Sequence, residues 1–323
     1  MSVEATNGAP ASAYLSLARL DHWSKNIFVL PGVFLAYAID SQVTEVDIFA
    51  ICLAVFATCL AASANYTINE YLDRETDKHH PVKSQRASVQ WELNPKVVTT
   101  QYVFLLLGSI FVAGLVNQGV VVAIAVLLVM GVLYNVQPAR LKDVAFLDVL
   151  TESLNNPIRM MIGWIAVSTI VLPPATILLS YWFGGAFLMA AKRYAEYRAI
   201  EDRSQLANYR KSFANYPERR LLLSCIFYAQ SSCFLFGAFI MKYRVEMILL
   251  FPLIAVLFCW YLLIAMRPEN SHKVTIEEFY NYPAFVIFFG FFIGVAVLLT
   301  VVDIPFLAVL TDHTVLSDTR YNW

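Results

Sequence analysis

The chain has 323 residues, 59% of them hydrophobic and only 15% charged, with a formal net charge of −1. A soluble fold of this length cannot enclose so much apolar side chain, so the composition excludes a water-soluble globular domain and points to an integral membrane protein. No nucleic-acid partner is expected, and oligomeric state is not legible.

Residues 1–13 (MSVEATNGAPASA) are small and polar, with no basic flank before an apolar core; they read as a disordered tail and not as a cleavable signal. Nine apolar runs then follow that are candidates to cross about 30 Å of hydrocarbon as helix. They are 26–40, 48–68, 98–116, 119–137, 145–170, 174–191, 221–241, 245–266 and 283–303. The first and fourth are short or glycine-interrupted, and the fifth carries polar residues. The expected fold is therefore all-α, with a transmembrane domain over 14–303 and a C-terminal tail over 304–323. The five cysteines, Cys52, Cys59, Cys225, Cys233 and Cys259, lie within apolar spans without paired spacing and read as small hydrophobes.

At the mouth of the first span, in DHWSKNIFVLP, stands Lys25. The second span ends in NEYLDRETDKHHPVKSQR at 69–86, a concentration of charge unlike anything before it. If the helix continues, Asn69, Asp73 and Asp77 fall at i, i+4 and i+8 along one face, with Glu70 at its border. Carboxylates stacked in this way near a low-dielectric boundary repel one another and need a cation. Oxygen-only ligands suit Mg²⁺, which leaves positions for substrate phosphates. Lys83 and Arg86, with His79 and His80, are placed to contact phosphate oxygens. A solvated turn laced with ion pairs is the plain alternative, and a zinc site at the histidine pair lacks completing ligands.

After the fourth span, YNVQPARLKD brings Lys142 to the same side as Lys25; snorkelling would explain both equally well. Tyr134 is either a phosphate donor or an interface anchor. In the fifth span Asp148, Glu152, Asn155 or Asn156, and Arg159 recur at three- and four-residue steps, with Pro157 expected to bend the helix. Ionisable residues at this depth are costly unless they pair or line a watered space, so the stripe reads as functional, with a structural Glu152–Arg159 pair as the alternative. The sixth span ends in AAKRYAEYRAIEDR. Lys192 and Glu196 stand at i and i+4, flanked by Arg193 and Tyr194, a set better suited to anionic oxygens than to a second bare metal. Residues 204–220 read as a charged amphipathic connector.

If the N-terminus is cytoplasmic, 19 of the 23 Lys and Arg residues fall on the cytoplasmic side, which gives N-in, C-out and places the chemistry at the cytoplasmic face.

The acidic NDxxDxxxD-like signature ending the second span, the Tyr-to-Lys segment after the fourth and the charged motif after the sixth resemble the UbiA superfamily of intramembrane prenyltransferases. The resemblance covers roughly residues 15–303. It implies a nine-helix bundle with a central polar cavity open to the cytoplasmic side. RLDHWSKNIFVL, the HPxKxxR continuation, NNPIR at 155–159 and AKRYAEYR at 191–198 are similar to the branch that works in a bacterial plasma membrane on 5-phosphoribosyl diphosphate and polyprenyl phosphate. Aromatic prenyltransferases usually carry a second aspartate-rich motif where this chain has Lys192 to Glu196. Glu70 in place of the usual Asp and Ala87 in place of a common proline depart from the pattern.

The implied activity is transfer of 5-phosphoribose to the lipid phosphate with loss of diphosphate. Mg²⁺ would sit on Asn69, Asp73 and Asp77 with Glu70 beside them, and Lys83, Arg86 and Lys142 would share the leaving-group charge. Lys25, Lys192, Arg193 and Tyr194 would hold the remaining phosphates, with Tyr134, Glu152, Arg159 and Glu196 also at the substrate. Prenyl transfer to an aromatic acceptor is the second implication, and transport the distant one.

Overall fold

The computed structural model describes residues 9–43, 45–78, 83–200, 206–267 and 282–308, and every regular element among them is helical. In order these are α1 (Ala11–Leu17), a 3-10 segment (Leu20–Val29) running into α2 (Leu30–Ile39), α3 (Ile48–Asp77), α4 (Ala87–Gln90), α5 (Pro95–Gly114), α6 (Gln118–Asn135) and α7 (Leu147–Val167). They continue with α8 (Ala175–Ala199), α9 (Leu206–Tyr209), α10 (Glu218–Tyr243), α11 (Phe251–Met266), α12 (Pro283–Val301) and α13 (Pro305–Ala308).

Helix starts follow local chemistry. The Asp47 carboxylate accepts from the backbone N–H of Phe49 and Ala50 at 2.9 and 3.1 Å to open α3, and Asn117 accepts from Val120 N–H at 2.9 Å to open α6. Asn94 caps α5, with Pro95 at the first helical position, where its missing N–H is not needed.

Seven helices among the described residues are long and apolar enough to cross a membrane: α3, α5, α6, α8, α10, Val245–Met266 (which includes α11) and α12. The other two apolar runs of the sequence are helical without meeting that standard. The first gives only the ten residues of α2 after a 3-10 stretch, and α7, though 21 residues long, carries the polar stripe. Helix α7 runs unbroken through Pro157.

Small residues let the helices approach. Ala54, Ala57, Ala61 and Ala64 form one edge of α3 and are fully buried with Ile124 and Leu127 of α6 and Ile162 of α7. A Cβ on Gly32 of α2 would run into the Met160 carbonyl oxygen, and one on Gly163 of α7 into the Val29 carbonyl oxygen. These two glycines bring α7 against the first polar-to-apolar segment of the chain, and Arg159 stands beside both contacts.

Candidate active site

The acidic end of α3 is tied to cations from four directions. Asp73 Oδ1 lies 2.6 Å from Lys142 Nζ and 2.8 Å from Arg140 Nη2, and Lys142 also donates to Asn135 Oδ1 at 2.9 Å and Asn69 Oδ1 at 3.4 Å. Asn69 and Asp73 therefore share one lysine. Glu70 and Asp77, two turns apart, share Arg86: its Nη1 is 2.8 Å from Asp77 and its Nε 3.5 Å from Glu70. Arg19 adds a 3.0 Å contact to Glu70, and Lys83 a 3.7 Å contact to Asp77. The sequence spacing put Glu70 at the border of the face; in the structure it is as enclosed as Asp77. His79 and His80 lie outside the described residues.

Burial holds Lys142 below the ordinary lysine range, against the pull of Asp73. Burial, then the Arg210 guanidinium, push Lys83 down to about 8, with Asp77 opposing. In both lysines burial opposes the neighbouring carboxylate, so an added anion would favour the charged form.

Helices α7 and α8 carry a second polar set, organised around Arg193. Its side chain is 2% exposed, and each of its three nitrogens meets a different carboxylate: Nε to Asp148 at 3.2 Å, Nη2 to Glu152 at 2.8 Å and Nη1 to Glu196 at 3.0 Å. Tyr134 donates to Glu152 at 2.9 Å. Asp148, fully enclosed, also accepts from Tyr216, from Ser212 at 3.2 Å and from Arg210 Nη1 at 3.4 Å. Glu152 is thus engaged by Arg193 and Tyr134, and the Glu152–Arg159 pair allowed by the sequence does not form. Arg159 instead donates from Nε to Asn26 Oδ1 at 3.0 Å.

The remaining expected residues divide. Among the described residues Lys192 makes no hydrogen bond or ion pair, although Glu196, Arg193, Glu152 and Lys25 surround it electrostatically. Lys25 Nζ lies 2.9 Å from His22 Nδ1, and the His22 ring stands edge-on to Tyr66, one turn before Asn69. Tyr194 faces elsewhere: it is buried with Tyr197, Phe213 and Tyr216 under the chain that returns from α8 to α10, with the Arg198 guanidinium 5.7 Å above its ring.

Sequence reasoning missed Arg19, Arg140, Arg210, Ser212 and Tyr216. The last three belong to a stretch that reads as surface connector, yet the aromatic cluster of Tyr209, Phe213 and Tyr216 folds it over the ends of α7 and α8. One backbone signal marks the place. Among the described residues three non-glycine residues have positive φ, Arg19 (47°), Arg140 (29°) and Phe146 (67°), and all border the site, where such strain persists only if surrounding contacts enforce it.

Asn69, Glu70, Asp73 and Asp77 are an all-oxygen donor set of the kind hard Mg²⁺ prefers, and in that sense they fit the ion. Among the described residues no three His, Cys, Asp or Glu side chains converge as a ready metal cage. The oxygens are instead compensated by lysine and arginine, so the site's chemistry as it stands is that of a polyanion receptor with an acidic rim.

A sequence profile for the UbiA prenyltransferase family matches residues 26–289. Among curated proteins, the decaprenyl-phosphate phosphoribosyltransferase of Mycolicibacterium smegmatis is 34% identical over 236 residues, 68% of this chain and 69% of that one. Its counterpart from Corynebacterium glutamicum is 32% identical over 217 residues, 64% of this chain and 60% of that one. Among solved structures, a UbiA homolog from Archaeoglobus fulgidus bound to GPP and Mg²⁺ superposes with a TM-score of 0.68 at 20% identity, covering 90% of this chain and all of that one. The apo UbiA homolog from Aeropyrum pernix K1 gives 0.58 at 15% identity, over 82% and 97% of the two chains. At such identities the structural likeness speaks to the fold.

Proposed function

The chain belongs to the UbiA prenyltransferase family, and from that premise we propose that it transfers 5-phosphoribose from 5-phosphoribosyl diphosphate to a polyprenyl phosphate. The observation that carries this reading is the state of the α8 motif. Arg193 holds all three acids near it, Asp148, Glu152 and Glu196, so none is left for a second metal, while Lys192 makes no hydrogen bond or ion pair among the described residues. That is an environment for a phosphate beyond the diphosphate, which a phosphosugar donor and a lipid phosphate both supply and a prenyl diphosphate with an aromatic acceptor does not. The curated relatives named for this activity support the same choice.

In the reaction the bond from the anomeric carbon to diphosphate breaks, the electron pair leaving with diphosphate, and a lipid phosphate oxygen bonds to that carbon. Mg²⁺, when held by Asn69, Asp73 and Asp77 with Glu70 beside them, supplies positive charge for diphosphate binding. Lys142 and Arg140 already lie on Asp73, and Arg86 and Lys83 on Asp77, so four cations are in place to meet leaving-group oxygens. Lys192 and Lys25 meet the other phosphates. Arg193 orients Glu152 and Glu196 and touches no substrate. The nucleophile needs no base, since a phosphate monoester is ionised at neutral pH, and positioning supplies the remaining advantage. The gathering of 19 of the 23 Lys and Arg residues on one side of the spans supports chemistry at the cytoplasmic face of a bacterial plasma membrane, with the N-terminus inside and the C-terminus outside.

The test is direct. Purified protein in nanodiscs, given labelled 5-phosphoribosyl diphosphate and polyprenyl phosphate with and without Mg²⁺, is expected to form a lipid carrying phosphoribose only with the metal. Transfer solely from a prenyl diphosphate to an aromatic acid would reject the assignment.

A further inference from the structure

Arg159 is the one charged residue deep in α7 that the mechanism leaves idle. It lies roughly 18 Å along the helix from Leu147, at about 1.5 Å per residue, a rise greater than half of a hydrocarbon layer about 30 Å thick. Its side chain tilts toward the start of its own helix, as helical side chains do, and so toward the end of the bundle that carries Asn69 and Asp73.

A guanidinium has five N–H donors, and among the described residues only Nε is engaged, by Asn26 Oδ1 at 3.0 Å. Asn26 is itself buried and pinned, its Nδ2 donating to Cys59 Sγ at 3.2 Å. No carboxylate pairs with Arg159 among the described residues; its electrostatic neighbours are the Tyr66 and Tyr181 phenols and the Cys59 thiol. A bare cation at this depth is expensive, which makes an unmet counter-charge the natural explanation.

Two other groups are unsatisfied at the same level. The Tyr181 hydroxyl and the Asn155 Oδ1, one turn before Arg159, are buried with no hydrogen-bond partner. Their roles differ: a phenol can donate to an anionic oxygen, whereas an amide oxygen needs a donor such as a sugar hydroxyl. The backbone around Arg159 is held by the Gly32–Met160 and Gly163–Val29 contacts, so the unsatisfied state is not relieved by simple slippage of α7.

We propose that Arg159, Tyr181 and Asn155 form an intramembrane subsite for a phosphate monoester. This deepens the reading given under Proposed function and rests on it for the source of the phosphate: the 5-phosphate end of the sugar donor, whose hydroxyls would answer Asn155, or the lipid phosphate. Arg159 and Tyr181 then fix the end of the substrate remote from Asp73, a role in affinity and substrate choice.

Binding without turnover tests it. Full-length protein in nanodiscs with EDTA is titrated calorimetrically with ribose 5-phosphate and, separately, with farnesyl phosphate. Arg159→Gln is expected to weaken one probe by about tenfold or more, the scale of a lost charge-assisted hydrogen bond, and Tyr181→Phe to weaken the same probe by a few-fold. A loss confined to ribose 5-phosphate assigns the subsite to the donor; a loss confined to farnesyl phosphate assigns it to the lipid, and either supports the subsite. Wild-type affinity for both probes in both variants overturns it, as does failure of the wild type to bind either. If Arg159→Gln does not fold, Tyr181→Phe alone decides, and unchanged binding in it is equally fatal. Because no transfer is required, a protein that proves to use an aromatic acceptor yet loses phosphate affinity in these variants would reject the function while leaving the subsite standing.

Discussion

Arg193→Met separates a structural hub from a phosphate ligand, the two roles open to a cation at that position. The substitution keeps much of the volume and removes all three ion pairs. Taking one partner from a buried pair typically costs about 3–5 kcal/mol. Asp148, with no exposure, bears most of that, but it retains Tyr216, Ser212 and Arg210. The Glu152 side chain is 36% exposed and keeps Tyr134, so its loss counts little. The expected destabilisation therefore falls at the low end, about 3 kcal/mol. Asp148→Asn in the same background should recover part of it, because the buried charge is then gone, and the double-mutant cycle should show coupling of about 1–3 kcal/mol. Arg193→Lys should rescue poorly, since one ammonium cannot reproduce a fork directed at three carboxylates. Equilibrium unfolding in mild detergent, followed by circular dichroism, measures all four. If Arg193→Met unfolds with the wild type while only the KM for phosphosugar rises, Arg193 binds substrate and the hub reasoning is wrong.

Other expectations follow from the same contacts. Asp73→Asn preserves shape but removes the charge that Lys142 and Arg140 neutralise, and Mg²⁺-dependent kcat should fall by about 10²–10³; a normal Mg²⁺ titration of activity would contradict the assigned role. Lys192→Ala should raise the KM for 5-phosphoribosyl diphosphate by about tenfold with no loss of thermal stability, because Lys192 has no hydrogen bond or ion pair to lose among the described residues. A fall in melting temperature instead of KM would show it to be structural. Gly163→Ala places a methyl against the Val29 carbonyl and should destabilise by about 1–3 kcal/mol despite alanine's better helix propensity. Unchanged unfolding would mean that α2 and α7 separate freely.

The spans were legible because a hydrocarbon layer imposes one requirement on composition and length that nothing else in the sequence imitates. The acidic motif was legible for a related reason: residues four apart must share a helix face, wherever the helix goes. Partner choice was not legible. Asp77 meets Arg86 nine positions on, Glu70 shares that guanidinium, and Arg19 reaches Glu70 from 51 positions away. Arg193 looked like a phosphate ligand because it adjoins Lys192, but neighbours along a helix point about 100° apart. One therefore turns into Asp148 and Glu152 of α7, and the other does not. Arg210 was hidden in a charged connector, and its signal was the interleaved Tyr209, Phe213 and Tyr216, apolar bulk that a solvated loop has no reason to carry.

The two clusters differ in how their charge is balanced, and the difference bears on substrate. Around Arg193 three carboxylates surround one guanidinium, closed by Tyr134, Ser212 and Tyr216, and the set is satisfied without any ligand. At the end of α3, Arg19, Lys83, Arg86, Arg140 and Lys142 face Glu70, Asp73 and Asp77, with Asp21 also on Arg19 and Asp143 also on Arg140, and burial already weakens the hold of Lys83 and Lys142 on their protons. Cations clustered in this way gain from a ligand that brings several negative charges at once, because each added anionic oxygen relieves desolvation as well as repulsion. A diphosphate does this at one end of α3. Lys192 and Arg159, without carboxylate ion pairs among the described residues, call for additional negative charge away from that end, which a donor carrying phosphates at both ends of a pentose provides.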